Sequence, residues 1–391
     1  MKKHKPESIA AQALGFIDDK TKEIVGQIHT STTYIRDADN QYRNGRVYAR
    51  DNNPTFEQPE SVLNALEGGH QTLLFASGMA AATAVFQALN PGDHVIVPKV
   101  MYWALRNWLK TFATRWGLHI TFVDATDLAQ LRAAIEPGKT KLVWIESPAN
   151  PIWSITDIAA TCEIAHAAGA LVAVDSTVAT PVLTRPIEQG ADIVMHAATK
   201  YLNGHSDVVA GTLTCARDSE TWQRIRSIRA QIGGIAGPFE AWLLMRGMRT
   251  LFPRVRVACV SAQKIAEHFS TSSMSAQIAE VLYPGLPTFK GHTIAAKQMQ
   301  GGFGGMMSIR FQPSATNSGE AIAIAVAAKT ALWKRATSLG GVESLIEHRA
   351  SVEGEGTPAP PDLLRLSVGI EDAQDLIDDL TQALVFAHHQ T

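Results

Sequence analysis

A lysine and an aspartate follow two successive apolar runs near the middle of the chain. Lys200 comes after the run DIVMHAAT, and Asp175 ends the run LVAVD. Both runs are short and apolar, as the strands of a buried parallel sheet are. Because ligands collect where the carboxyl ends of such strands meet, we expect the amine and the carboxylate to lie side by side. The alternative interpretation is an exposed charge at a sheet edge, or an ordinary salt bridge.

An amine and a carboxylate placed in this way are the two protein groups that pyridoxal phosphate requires. The lysine forms a Schiff base with the aldehyde, and the acid keeps the pyridine nitrogen protonated, so that the ring withdraws electrons. The cofactor also requires a phosphate site. The sequence FASGMAAA supplies a candidate, because Gly78 and Met79 offer backbone N–H groups at the start of a helix. Alone this junction is an ordinary helix cap, but beside Lys200, Asp175 and the Thr199 hydroxyl it indicates a cofactor site.

The order of apolar runs and helical stretches predicts an α/β fold. From about residue 57 the two alternate, which indicates βαβ units around a mostly parallel sheet with helices on both faces. The first 55 residues are polar and lack periodicity, and we interpret them as an extended arm. We therefore predict an arm over residues 1–55, a large domain over 56–247 and a smaller C-terminal α/β domain over 248–391. Within the last, EAIAIAVAAKTALWK predicts a helix over residues 320–334.

Composition argues against several classes of function. A formal net charge of −2 over 391 residues gives no basic field for nucleic acid or an anionic membrane. The three cysteines are far apart and form no CxxC pair, so we expect neither a disulfide framework nor a zinc site. The N-terminus has no apolar core of a signal peptide, and no stretch of about 18 uncharged apolar residues occurs. We expect a cytoplasmic protein that binds no metal, nucleic acid or membrane.

Longer motifs resemble the cystathionine synthase and lyase family of pyridoxal-phosphate enzymes, also called the Cys/Met metabolism family. The most specific is DSTVATPVLTRPIEQGADIVMHAATKYLNGHSD, which is close to the lysine signature of that family. Supporting motifs occur in order along nearly the whole chain: VYARDNNPT, LEGGHQTLLFASGMAA, ESPANP, GPFEAWLLMRGMRTL, SLGGVESL and LLRLSVGIED. The resemblance implies a fold-type I architecture, with a mostly parallel central sheet in a large domain and a smaller C-terminal α/β domain.

The resemblance also implies roles around the cofactor. Lys200 would carry the Schiff base and shuttle protons, and Asp175 would pair with the pyridinium nitrogen. Tyr102 would stack on the ring and act as an acid at the leaving group, although a core aromatic is the alternative. The residues that would hold the phosphate are Gly78, Met79 and Thr199.

Two further groups of residues take roles from the same resemblance. Tyr48 and Arg50 would reach the phosphate of the neighbouring subunit, which makes a homodimer the minimal active unit and a homotetramer of two dimers the expected assembly. Arg365, helped by Ser338, would clamp the α-carboxylate of the substrate. Asn150 would contact the cofactor or the substrate. For Arg365 the alternative is an ordinary salt bridge, and for Asn150 a turn before proline.

The chain departs from the family pattern at several positions. Ala197 stands where a serine usually contacts the phosphate. Thr337 stands where members acting on cystathionine often have a glutamate that meets the distal ammonium, and a neutral residue there favours substrates without that charge. Ala104 replaces a cysteine that is usual in methionine-specific γ-lyases. The segment Glu347–Pro360 also differs from the common form, and the sequence assigns it no role.

The same residues would serve three reactions: elimination at Cγ, replacement at Cγ and elimination at Cβ. We favour Cγ chemistry on a sulfur- or oxygen-substituted amino acid, such as cystathionine, an O-acylhomoserine, methionine, homocysteine or canavanine. The first alternative is a cystathionine β-lyase, which gives homocysteine, pyruvate and ammonia. The second is a protein that binds the cofactor without turnover, as a sensor or scaffold.

Overall fold

Two β-sheets organise the chain in the computed structural model, which describes residues 4–271, 273–354 and 356–389. The strands of the first sheet are β1 (Gln71–Phe75), β2 (His94–Pro98), β3 (His119–Val123), β4 (Thr140–Glu146), β5 (Leu171–Asp175), β6 (Ile193–His196) and β7 (Gly211–Cys215). Their order is β1-β7-β6-β5-β4-β2-β3. Strand β7 is antiparallel to β1 and β6, and the other neighbours are parallel. The mostly parallel sheet predicted from the sequence is confirmed.

Helices cover this sheet and connect its strands. They are α1 (Pro6–Ala11), α2 (Pro54–Glu67), α3 (Gly78–Gln87), α4 (Trp103–Trp108), α5 (Thr114–Trp116), α6 (Leu128–Ala134), α7 (Ile158–Ala167), α8 (Thr180–Leu183), α9 (Glu220–Ile232) and α10 (Pro238–Met248). Several begin at a polar residue whose side chain accepts a hydrogen bond from the first turn, as Ser77, Asp157 and Ser219 do for α3, α7 and α9. Such caps fix where each helix starts. A π-helical turn, Leu109–Ala113, joins α4 to α5.

The second sheet lies in the C-terminal part of the chain. Its strands are β8 (Ile278–Leu282), β9 (Met306–Phe311), β10 (Lys334–Arg335), β11 (Leu345–His348) and β12 (Leu363–Ser367), in the order β10-β11-β12-β9-β8. All neighbours except β10 and β11 are antiparallel. The accompanying helices are α11 (Leu251–Thr271), α12 (His292–Gln298), α13 (Gly319–Lys329), α14 (Arg349–Glu353) and α15 (Ala373–His389).

Helix α13 ends earlier than its sequence pattern predicts. The helix expected over residues 320–334 stops at Lys329, and the prediction for the last five residues is wrong. The carboxylate of Asp379 accepts hydrogen bonds from the backbone N–H groups of residues 331–333. The buried ring of Trp333 donates from Nε1 to the carbonyl of Leu376. These contacts with α15 pull the chain out of the helix and lead it into β10.

The region preceding α2 is irregular. Residues 16–53 contain no helix or strand, and an isolated bridge pairs Thr33 with Tyr48. Several apolar side chains of this region are exposed, Ile35 at 87% among them. The domain boundaries at residues 55 and 247 stay predictions.

Contacts between the two parts of the chain fix the position of the second sheet relative to the first. Trp153, in the loop after β4, donates from Nε1 to the hydroxyl of Ser308 in β9, at 2.9 Å. Arg254 of α11 donates to the carbonyls of Tyr201 and Gly247, both at 2.8 Å. The loop that carries Lys200 is therefore held by a buried arginine from the C-terminal part.

Gly247 allows the closest of these approaches, which gives a prediction about stability. A Cβ added at this helical position would lie 2.2 Å from the carbonyl oxygen of Asn203. Gly247→Ala gains up to about 1 kcal/mol of helix propensity. The clash is with backbone, so we expect a net destabilisation of about 1–3 kcal/mol, measured by thermal unfolding. Gly234→Ala is the matched control, because an added Cβ there makes only ordinary contacts. Equal midpoints for the two variants would contradict this account.

Candidate active site

A cavity of about 240 Å³ lies at the carboxyl edge of strands β4, β5 and β6. Both parts of the chain line it. Ten of the residues singled out in the sequence meet there: Gly78, Met79, Tyr102, Asn150, Asp175, Thr199, Lys200, Thr337, Ser338 and Arg365. Tyr48 and Arg50 do not line it. They lie in the irregular region before α2, where the Arg50 guanidinium is 5.3 Å from the centre of the Tyr48 ring.

Lys200 lies in a turn that follows β6. Its backbone N–H donates to the carbonyl of Ala197, and the N–H of Gly204 donates to its carbonyl, at 3.0 and 2.7 Å. The side chain extends into the cavity, where Nζ donates to the hydroxyl of Ser338 at 2.7 Å. Burial, helped by the nearby Arg365 guanidinium, lowers the pKa of Lys200 to about 8. The amine is therefore much closer to its neutral, nucleophilic form at neutral pH than an exposed lysine is.

Asp175 ends β5 and has one oxygen bonded and one free. Its Oδ1 accepts hydrogen bonds from the backbone N–H and the hydroxyl of Thr177, at 3.0 and 2.5 Å. The same hydroxyl accepts from the N–H of Ala197 at 2.8 Å, which ties the end of β5 to the turn before Lys200. Oδ2 has no donor among the residues that the structure describes. Burial raises the pKa of Asp175, so the ionised form needs a cationic partner in the cavity.

The start of α3 provides an anion site. The Ser77 hydroxyl accepts from the N–H of Ala80 at 3.0 Å, and the N–H groups of Gly78 and Met79 have no acceptor in the described part of the chain. A Cβ added at Gly78 would lie 2.8 Å from the Cβ of Ala197, so glycine lets the helix start approach the lysine turn. Two free N–H groups at the positive end of a ten-residue helix suit a phosphate.

Glu146 is a site residue that the sequence reasoning missed. It ends β4 and lies beside Asp175 in the strand register. Its two oxygens accept from the backbone N–H groups of Tyr102, at 2.7 Å, and Asn150, at 3.0 Å. Burial, with the nearby Asp175 carboxylate, raises the pKa of Glu146 to about 8. The strand-end position that pointed to Asp175 would have pointed to this glutamate as well.

The backbone of Tyr102 is fixed by a hydrogen bond, and its ring remains accessible from the cavity. It precedes α4, and the residue is 43% exposed at the cavity wall. The hydrogen bond from its backbone N–H to Glu146 fixes the position from which the side chain extends. In α4, the side chains of Trp103 and Arg106 donate to the carbonyls of Glu353 and Gly356. An aromatic ring with a hydroxyl at the mouth of the cavity can cover a flat ligand and donate a proton.

Arg365 lies in the middle of β12 and is buried. One terminal nitrogen donates to the Ser338 carbonyl at 2.7 Å and lies 2.6 Å from Glu347 Oε2. The other lies 3.5 Å from the side-chain oxygen of Asn150, which is a long contact. Burial lowers the pKa of Arg365 to about 10. Because the contact of the second nitrogen with Asn150 is long, this nitrogen can still donate to an anion such as a carboxylate.

The geometry fits pyridoxal phosphate and defines a class of protein. An amine with a lowered pKa, a carboxylate with a free oxygen and a helix start with free N–H groups line one cavity on an α/β fold. These are the features of a pyridoxal-phosphate-dependent enzyme. No group of three or more His, Cys, Asp or Glu side chains placed to hold a metal occurs in the described ranges. Nor does any described helix have the length and apolar content to cross a membrane.

The chain belongs to the Cys/Met metabolism PLP-dependent enzyme family, whose model matches residues 8–385. It is 44% identical to the cystathionine gamma-synthase of Mycobacterium tuberculosis over 377 residues, 94% of this chain and 93% of that protein. It is 37% identical to the cystathionine beta-lyase of Coxiella burnetii, with 94% of both chains covered. A crystal structure of cystathionine gamma synthase from Xanthomonas oryzae pv. oryzae in complex with cystathionine matches with a TM-score of 0.92, 35% identity and full coverage of both chains. The family, fold class and cofactor predicted from the sequence are confirmed.

The lowered pKa of Lys200 predicts how its amine reacts. Only the neutral amine is acetylated, so labelling of the apoprotein with acetic anhydride should rise through a midpoint near pH 8 at this residue. Exposed lysines in the same digest serve as the control, because an ordinary lysine has a pKa of about 10.4. Mass spectrometry of the peptides measures both. A midpoint at Lys200 as high as that of the exposed lysines would contradict the effect assigned to burial.

Proposed function

We propose that this protein catalyses elimination or replacement at Cγ of a sulfur- or oxygen-substituted amino acid, with pyridoxal phosphate bound at Lys200. The observation that carries the proposal is the shared cavity of Lys200, Asp175 and Arg365. It offers an amine, a partner for a pyridinium nitrogen and a site for a carboxylate. The identity with proteins named cystathionine gamma-synthase supports the choice of Cγ.

In this proposal the cofactor site uses residues of the first sheet. When bound, pyridoxal phosphate withdraws electrons from the substrate and acidifies its Cα hydrogen. The free oxygen of Asp175 would accept a hydrogen bond from the protonated pyridine nitrogen and so stabilise that form. The free N–H groups of Gly78 and Met79 would hold the phosphate. Thr199 would add its hydroxyl, which in this structure donates to the carbonyl of Ala210 at 3.1 Å and accepts from the N–H of Ala210 at 3.0 Å. Ala197 contributes only a methyl group there, so this site has one hydroxyl fewer than is usual in the family.

Lys200 is the base of the proposed reaction. Once the amino group of the substrate has taken its place on the cofactor, the freed amine of Lys200 would remove the proton from Cα, and moving a second proton from Cβ would permit loss of the substituent at Cγ. A pKa near 8 suits an amine that takes and returns protons near neutral pH. The Ser338 hydroxyl orients it, and the hydroxyl of Tyr102 gives a proton to the leaving group. The proton at Cβ is what distinguishes Cγ chemistry from loss of a β-substituent, for which the first transfer is enough.

The substrate would be held by β12, by the loop between β10 and β11 and by the loop after β4. Arg365 binds the α-carboxylate through its free nitrogen, and Asn150 borders the same space. Thr337 adjoins Ser338 on the cavity wall and is neutral. It cannot form an ion pair with a distal ammonium, which favours O-acylhomoserine, methionine or homocysteine over cystathionine as the amino acid that loses its substituent.

The second candidate function is that of a cystathionine β-lyase. The 37% identity with a protein of that name favours it. The products separate the two candidates when cystathionine is supplied, because β-elimination gives homocysteine and pyruvate, whereas γ-elimination gives cysteine and 2-oxobutanoate.

We further propose a homotetramer of two dimers in the cytoplasm. Tyr48 is 43% exposed and Arg50 lies against it, so both are available to a neighbouring subunit. Exposed apolar side chains, including Ile232 and Phe239 at 66% and 54%, offer surface for such contacts. The three cysteines are free and buried, which is compatible with a reducing compartment.

A substrate panel tests the proposed function. Purified holoenzyme is mixed with cystathionine, methionine, canavanine, and O-acetyl- or O-succinylhomoserine with and without cysteine. We expect at least one to change the visible absorbance of the cofactor and to release a 2-oxo acid or a thioether product. Lys200→Ala should lose both the protein-bound colour and turnover, whereas Lys264→Ala on the exposed face of α11 should keep both. An absorbance that no amino acid changes would favour a protein that binds the cofactor without turnover.

A further inference from the structure

Four buried charged side chains form a continuous chain that starts at Arg365. Glu347 lies opposite Arg365 in the register of β11 and β12, and its Oε2 is 2.6 Å from the Arg365 guanidinium. The same oxygen accepts a hydrogen bond from Arg349 at 2.8 Å. Arg349 also donates to Glu353 at 2.7 Å. All four side chains belong to residues that are at most 8% exposed, and we call them the charge chain.

The charge chain alternates in sign and is neutral as a whole. Two guanidinium groups and two carboxylates compensate one another, which burial requires. The arrangement around Glu347 is the informative part, because both arginines bond to one and the same oxygen. If Arg365 were the only partner of Glu347, the carboxylate would neutralise the positive charge of Arg365. Here Glu347 is shared with Arg349, so it neutralises Arg365 only in part. Arg365 can therefore still attract an anion that enters the cavity.

Arg349 is connected to the wall of the cavity that carries Tyr102. Its partner Glu353 accepts from the hydroxyl of Thr357 at 2.7 Å, and the carbonyl of Glu353 accepts from the ring nitrogen of Trp103 at 3.2 Å. The segment Glu347–Pro360, to which the sequence assigned no role, therefore begins in β11 and contacts α4. Arg349 itself lines the cavity beside Arg365.

Arg349 is not fully satisfied, which argues against a purely stabilising function. Its Nε is buried and has no hydrogen-bond partner in the described ranges. An ion-pair network that serves stability alone gains most when every donor is bonded, and an unmatched buried donor is destabilising. The position of the Arg349 guanidinium therefore satisfies its contacts with Glu347 and Glu353 and leaves Nε unbonded.

We propose that Arg349 is a positioning residue for Arg365. By sharing Glu347 it keeps the second arginine directed at the cavity and available to the α-carboxylate of an amino-acid substrate. This inference rests on the proposed function, because it concerns the same carboxylate site. It assigns a role to the segment Glu347–Pro360, whose form differs from the usual one in the family.

The test compares two ligands that cannot react at Cγ. L-Norleucine has the α-carboxylate and no leaving group, and L-norleucinamide has a neutral carboxamide in its place. Their dissociation constants for the holoenzyme are measured by the change in visible absorbance. Wild type should prefer norleucine, and Arg365→Met should abolish that preference. Arg349→Met should weaken norleucine binding about tenfold and leave norleucinamide within about twofold, because only the carboxylate contact depends on Arg365.

Controls separate positioning from folding. Arg310 in β9 forms an ion pair with Asp362 outside the cavity, and Arg310→Met removes a similar guanidinium while it should leave the ligand preference unchanged. Arg349→Lys keeps the charge and should recover part of the preference. If Arg349→Met does not fold, the charge-balanced double variant Arg349→Met with Glu353→Gln takes its place, with the same expected loss.

The outcomes are distinct. A loss of preference in the Arg349 variants, without loss in Arg310→Met, supports the proposal. Equal weakening of both ligands, or an unchanged preference, overturns it and leaves the proposed function intact. If the wild-type holoenzyme binds neither norleucine nor any amino acid of the substrate panel, the proposed function fails and this inference fails with it.

Discussion

The separation of opposite charges within one buried cavity is the constraint on which the rest of the structure depends. Lys200 and Asp175 meet at the same sheet edge, yet in the described part of the chain they form no ion pair with each other. The amine donates to the neutral hydroxyl of Ser338, and the carboxylate accepts from Thr177. Burial then lowers the pKa of the amine and raises that of the acid. Both groups are kept for a ligand that can supply the missing partner.

The fold provides this separation by drawing the site from two sheets. Strands β4, β5 and β6 of the first sheet end at the cavity and present their acids and the lysine turn there. The second sheet brings Arg365 in the middle of β12, where strands on both sides restrict its movement. Contacts such as the hydrogen bond from Trp153 to Ser308 fix the position of one sheet relative to the other. A ligand at this place therefore meets rigid strands on two sides.

The sequence predicts the parts of the site that depend on local patterns. Lys200 and Asp175 were found because each follows a short apolar run, and Gly78 because it opens a helix after a strand. Contacts between distant residues were not predictable in this way. The end of α13 depends on Asp379, about fifty positions further on, and propensity alone extends the helix too far. Arg349 is linked to Arg365 only because β11 and β12 pair and place Glu347 opposite Arg365, which the sequence does not show.

Ser338 links the amine and the guanidinium through a single residue. Its hydroxyl accepts a hydrogen bond from Lys200 Nζ, and its carbonyl accepts one from the Arg365 guanidinium. The backbone of Ser338 is left-handed, with φ of 87°. Such a conformation is unfavourable for a residue with a side chain, so the surrounding contacts must hold it there. Ser338 consequently couples the positions of the two basic groups. A change in the backbone at this one residue would displace the amine and the guanidinium together.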